Sequence, residues 1–267
     1  MMKKALSTIV LALCITVSSF VPALAAKPAP SSGGGSSSST LGNDVSYPQC
    51  GKRLPSGQAF GLVGVNGGLA NNSNSCLSTE LNWAFTSSGI TSQPKAGLYV
   101  NTANPGNLGV ADWPTSGTTP YGTCTGADDQ ACAYAYGNAR AQSDVGFLTA
   151  ASPVVAPASF TWWLDVETGN SWESNTANNQ ADLAGMTAYF EGIGASVGLY
   201  STAAQWSQIA GTVPSTSNLA GLRNWRPGGA TLATAQQACT AAPLTVGGTV
   251  QVTQFTSKNV DYDYSCH

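Results

Sequence analysis

The chain has 267 residues, of which 42% are hydrophobic and only 9% charged, and its 13 acidic and 10 basic residues give a formal net charge of −3. Loss of Lys3 and Lys4 with an N-terminal leader would leave eight basic residues against the same 13 acids, a net charge of about −5. Such a surface is not built to bind nucleic acid. The only histidine is His267, so a Ser-His-Asp, Cys-His or histidine-metal mechanism would have to use that last position, and an enzyme built on this sequence must work with carboxylates, Tyr, Asn or backbone groups.

Met1-Met2-Lys3-Lys4 precedes a mostly apolar stretch that ends in Ala23-Leu24-Ala25, the pattern of a cleaved export signal. Residues 1–25 are therefore expected to be a signal peptide, leaving a secreted protein with no membrane association, and Cys14 should leave with the leader. The segment KPAPSSGGGSSSST has nothing to bury and reads as a Pro/Gly/Ser-rich linker over 26–40. One folded domain is expected over 41–267. It retains Cys50, Cys76, Cys124, Cys132, Cys239 and Cys266. An even cysteine count in an exported chain argues for disulfides, and chain order suggests 50–76, 124–132 and 239–266 among the fifteen possible pairings. Neither a C-x-x-C pair nor a second histidine is present to favour zinc.

Along the chain, the apolar runs NDVSY, AFGLVGVN, KAGLYVN, FTWWLDVE, SVGLYS, GLRNW and TVQVTQF alternate with segments of helical character. Helices are expected at Leu77–Ser87, Asp129–Ala150, Asn178–Ile193 and Ala203–Ile209. An eighth strand is placed near Leu244–Val246, and the final run could close against the first. The expected fold is α/β: a single TIM-like (β/α) barrel, with allowance for irregularity, stapled by disulfides. A doubly wound open sheet is the alternative, but no G-x-G-x-x-G loop follows the first strand.

Strand alternation gives FTWWLDVE two faces. Phe160, Trp162, Leu164 and Val166 suit the helix layer, while Thr161, Trp163, Asp165 and Glu167 point into the barrel, with both carboxylates at the mouth where barrel chemistry sits. Their Cα atoms would stand about 6.6 Å apart, and mutual repulsion should raise one pKa, giving an acid beside a carboxylate, as glycosidic cleavage uses. Asp44, Asn66, Asn101, Tyr200 and Trp225 end other runs, and Asp261 and Asp263 follow the last; NVDYDY itself could be a solvated loop. Together they would line a mouth with rings, amides and acids, the groups that recognise sugars.

The segments NDVSYPQ, WWLDVETGNSW, VGLYST and VTQFTSKNVDYDYS resemble glycoside hydrolase family twenty-five, secreted muramidases that cleave peptidoglycan. The resemblance runs from about Gly42 to the C-terminus. It implies an irregular (β/α) barrel with Glu167 as general acid/base, Asp165 as the partner carboxylate and Asp44 as a supporting acid. Of the two late acids, Asp261 is preferred over Asp263 as the match to the family's last acidic residue. Asn66, Tyr99, Asn101, Tyr200 and Trp225 join Asp44 and Asp261 as expected substrate contacts. This chain is a divergent branch: it has GVNGG where the family carries ATEG, and Tyr99-Val100-Asn101 where it carries YHF. The chitinase pattern D-x-x-D-x-D-x-E fits less well, because Trp163 stands where its preceding Asp would be. The implied function is hydrolysis of peptidoglycan or a related amino-sugar polymer by a monomer without metal or cofactor. The alternative is an inactive carbohydrate-binding protein on the same scaffold.

Overall fold

The computed structural model describes residues 40–108 and 110–267, so the expected leader and all but the last residue of the linker lie outside the described residues. Its elements, in chain order, are β1 (Leu41–Val45), β2 (Gly61–Gly64), α1 (Leu77–Phe85), β3 (Ala96–Asn101), β4 (Gly117–Thr119), β5 (Gly122–Cys124), α2 (Gln130–Ala151), β6 (Thr161–Asp165), α3 (Thr176–Gly192), β7 (Ser196–Tyr200), α4 (Ala203–Ile209), β8 (Arg223–Gly229), α5 (Leu232–Ala238), β9 (Thr249–Ser257) and β10 (Val260–Ser265). Eight strands close into a barrel in the order β1-β10-β9-β8-β7-β6-β3-β2, and β4 and β5 form a separate hairpin. The closed ring excludes the open doubly wound sheet.

This barrel departs from regular strand–helix alternation. Neighbours from β1 through β2, β3, β6, β7, β8 and β9 are parallel, but β10 runs antiparallel to both β9 and β1. Only a 3-10 turn at Tyr47–Gln49 stands between β1 and β2. β9 turns directly into β10 through Lys258 and Asn259, both at positive φ (52° and 60°), the backbone of a two-residue type I′ hairpin. The expected strand at Leu244–Val246 is a turn; the closing strand is instead Val260–Ser265, inside the segment read as a loop. Alternating V-D-Y-D-Y-S is strand patterning, and the two aspartates disguised it.

The four expected helices form, each within a few residues of its expected ends, and α5 is an addition. Side chains cap several of them: Asp129 accepts from Cys132 N at the start of α2, Asn175 from Ala177 N at α3, and Thr202 with Gln205 forms a capping box at α4. α2 and α3 pack closely because Gly137 and Gly185 lie at their contact. A Cβ on Gly185 would sit 2.1 Å from the Tyr134 carbonyl oxygen, and one on Gly137 2.0 Å from that of Asp182.

The outer core joins Phe160, Trp162, Leu164 and Val166 of the β6 segment to Leu183, Met186 and Phe190 of α3 and Leu148 of α2. The inner core is smaller: Phe60, Leu62, Trp163, Trp225 and Val252 fill the barrel. This is the two-faced division expected of the β6 run. Disulfides join Cys50 to Cys76, Cys124 to Cys132 and Cys239 to Cys266, as chain order suggested.

Candidate functional site

β6 ends at Asp165, and two residues on, Glu167 stands half-buried at the mouth while Asp165 is 8% exposed. The loop between them and α3 is tied back by the Trp172 indole, which donates to the Glu167 carbonyl (2.9 Å). Thr102 holds the strand end from the other side: its amide and hydroxyl both donate to the Asp165 carbonyl, at 3.2 and 2.6 Å. The two carboxylates therefore project from a backbone fixed by neighbours on both flanks.

A cavity of about 120 Å³ opens at this end, lined by Asp44, Tyr99, Asp165, Glu167, Tyr200, Trp225 and Gln254. The residues come from β1, β3, the β6 end, β7, β8 and β9, so the barrel converges their side chains from six different segments. Its floor is aromatic. The Trp225 ring lies 4.6 Å from that of Tyr200, 5.7 Å from Tyr99 and 6.1 Å from Trp163, the last two edge-on. Room for this cluster comes from Gly198 on β7, where a Cβ would come within 2.3 Å of the Trp163 ring.

Gln254 is the member that sequence reasoning missed. It receives the Tyr200 hydroxyl proton on Oε1 (2.8 Å) and donates through Nε2 to Asp44 Oδ2 (2.9 Å), linking opposite walls. Its only signal is parity: it shares a strand face with Val252, which packs in the barrel.

Burial dominates the electrostatics. Asp165 is held well above the usual carboxylate range by loss of water and then by the nearby charges of Glu167 and Asp44. Asp44 is pushed up to about 7 by burial and by Asp261, offset by the bond from Gln254 and by Asp263. Desolvation and the surrounding carboxylates also hold the Tyr200 hydroxyl up, keeping it a donor. Of the β6 pair, Asp165 is the member whose pKa burial raises.

Of the two late acids, Asp263 is the one inside the barrel. It is fully buried, its pKa is driven well above the usual range by desolvation and then by Asp44, and it faces the Trp225 indole without closing a well-formed hydrogen bond. Asp261 lies outside this cavity, its carboxylate accepting from the Thr256 hydroxyl (2.6 Å) and lining a neighbouring cavity with Asp44. The reversed direction of β10 explains the exchange: Asp261 comes first and sits at the rim, and Asp263 comes two residues deeper.

Asn66 is likewise displaced from its expected role. It is 2% exposed, donates to Asp144 Oδ1 on α2 (2.8 Å) and accepts from the Asn101 amide (2.7 Å), so it braces the second and third strands against the helix layer. Asn101 pairs in register with Asp165 but does not line the cavity. Among the described residues, no group of three or more His, Cys, Asp or Glu side chains is arranged to hold a metal ion, and no helix is long and apolar enough to cross a membrane.

A family model described as lysozyme-like protein 1 matches residues 157–237, the stretch that contains Asp165, Glu167, Tyr200 and Trp225. Among solved structures, the chain is similar to the spore cortex lytic enzyme SleM of Clostridium perfringens, with a TM-score of 0.52 and 16% identity over 85% of this chain and 67% of that one. That likeness is one of fold. No curated protein matches the chain.

Proposed function

We propose that this protein is a secreted glycoside hydrolase that cleaves glycosidic bonds in peptidoglycan or a closely related amino-sugar polymer, as a divergent relative of the muramidase family it resembles. The observation that carries this reading is the convergence of Asp44, Asp165 and Glu167 on one aromatic-floored cavity at the barrel mouth. The lysozyme-like model over residues 157–237 and the fold shared with a cortex lytic enzyme point the same way.

Glu167 is the general acid/base. It is the more open of the pair and stands where a glycosidic oxygen can reach it. Asp165 lies deeper and stabilises the oxocarbenium-like sugar. Before substrate binds, burial favours the protonated form of Asp165. Positive charge developing on the sugar favours ionised Asp165, which leaves the proton to Glu167 and thence to the departing oxygen. The C–O bond breaks, water supplies the new hydroxyl at the anomeric carbon, and the proton returns to the pair. Asp44, tethered through Gln254 to Tyr200, keeps the wall opposite in place. The aromatic rings offer a face for sugar stacking.

Mass analysis of products from purified peptidoglycan is the direct test, since each new reducing end names the bond cut. A sugar-binding protein without turnover is the reading favoured by Asn66, whose polar atoms are consumed inside the fold. Retention on insoluble peptidoglycan with no new reducing ends would select it.

A further inference from the structure

A larger cavity of about 460 Å³ adjoins the candidate site and shares Asp44 with it. Its walls come from residues 43–45, 49, 52–58 and 259–262, and Lys52 and Arg53 lie on its 52–58 side. Among the described cations elsewhere, Arg140 pairs with Asp112, Arg223 donates to Thr161 and Arg226 to the Ala242 carbonyl, while Lys95 and Lys258 lie outside this cavity's lining. Lys52 and Arg53 make no ion pair or side-chain hydrogen bond among the described residues. In a chain so poor in charge, two adjacent unpaired cations on one cavity wall are a concentrated feature.

The wall that carries them is fixed in advance. The Cys50–Cys76 disulfide ties its start to the α1 end of the preceding loop, Trp83 Nε1 donates to the Pro55 carbonyl (2.7 Å), and Gln58 bonds the Trp83 carbonyl and the Thr86 hydroxyl (3.2 and 3.3 Å). Both ends of the segment are therefore anchored to α1, and the cations need order only their own side chains on binding. Charge is graded across the cavity: Asp44 and Asp261 belong to the barrel side, Lys52 and Arg53 to the loop side. A ligand that places a neutral sugar over the acids and an anion beyond them complements this gradient.

We propose that this cavity is a subsite for a carboxylate on the peptide branch of a peptidoglycan strand, with Lys52 and Arg53 as its specificity-determining residues. The proposal rests on the amino-sugar polymer reading above and adds a discrimination that the central cavity cannot make, between peptide-bearing glycan and a glycan with no anionic branch. Calorimetric titration of wild type and Lys52→Ala/Arg53→Ala with soluble glycan fragments, intact or stripped of peptide, tests it without requiring turnover. Wild type should bind the intact fragment roughly five- to tenfold more tightly at low salt, and the ratio should fall to near one in the double variant or at high ionic strength. Melting temperatures of the two proteins should agree, since both side chains are exposed. If wild type shows this preference yet releases no reducing ends, the hydrolase reading falls and the subsite stands. Cleavage with no preference, or a preference that survives in the double variant, overturns the subsite. Equal tightening by a peptide-free fragment bearing phosphate overturns the assignment to carboxylate.

Discussion

Among the described residues, the aspartates with raised pKa values fall into two groups, and only one of them contributes to a cavity lining. At the mouth, Asp44, Asp165 and Asp263 surround the β1, β6 and β10 ends; in the helix layer, Asp144 on α2 and Asp182 on α3 are fully buried at the other face of the wall. All five have raised pKa values, and burial is the largest cause for each. A perturbed acid is therefore a record of desolvation before it is a mark of chemistry. What separates the groups is access. Asp44 and Asp165 open on a space that other polar and aromatic groups share, whereas Asp144 meets Asn66, and Asp182 has no hydrogen-bond partner at either carboxylate oxygen.

Isosteric substitution should break the comparison most sharply. Glu167→Gln is expected to lower turnover of peptidoglycan by about a thousandfold or more, and Asp165→Asn by about a hundredfold, with folding intact. Asp144→Asn and Asp182→Asn should change the rate by less than about twofold, an upper bound set by removing no group that reaches substrate. Equal losses in the two groups would show that access is the wrong criterion.

Gly185→Ala probes the helix layer by packing alone. Its new methyl would meet the Tyr134 carbonyl, so α2 and α3 must separate, at a cost of about 2–4 kcal/mol and a fall in Tm of roughly 5–10 °C, while the rate per folded molecule holds.

Stability should also fall as pH rises, with both groups contributing. An acid whose folded pKa exceeds its unfolded value near 4 leaves the native state holding more protons in between, so stability is greatest below that value and declines as pH rises through the folded pKa. For Asp44 the decline runs to about 7 and for Asp144 to about 8. A Tm scan should drop by roughly 5 °C or more between pH 5 and pH 8. Asp144→Asn sharpens this: its carboxamide can keep the bond with Asn66 but cannot ionise, so its Tm should exceed that of wild type by a few degrees at pH 8 and match it at pH 4. A wild-type Tm that rises toward pH 8 would contradict the burial assigned to both groups.

The sequence exposed the mouth better than its surroundings, and the reason is geometric. Alternation along FTWWLDVE assigns every side chain to a face from the two-residue period alone, and the inner and outer cores separate in that way. The same period would have placed Gln254 in the barrel, but a neutral amide within an apolar run carries no chemical emphasis. Asp263 was obscured by direction: reading Val260–Ser265 as an exit loop put the rim residue, Asp261, where the deeper one belongs. Asn66 has the composition of a mouth residue and lies at a strand end, yet its partner Asp144 is 78 positions away, beyond the reach of local pattern.

The antiparallel seam sets the order in which this molecule can assemble. Asn43 Nδ2 donates to the Asp261 carbonyl across 218 positions, and β10 pairs with both β1 and β9. Until residues 260–265 pair, the edges of β1 and β9 stay open and the β10 side of the Asp44 carboxylate lacks its wall. Closure of the ring and completion of the acid cluster are then one late, high-contact-order event. The acids at the mouth should become reactive only in a chain whose final strand has arrived.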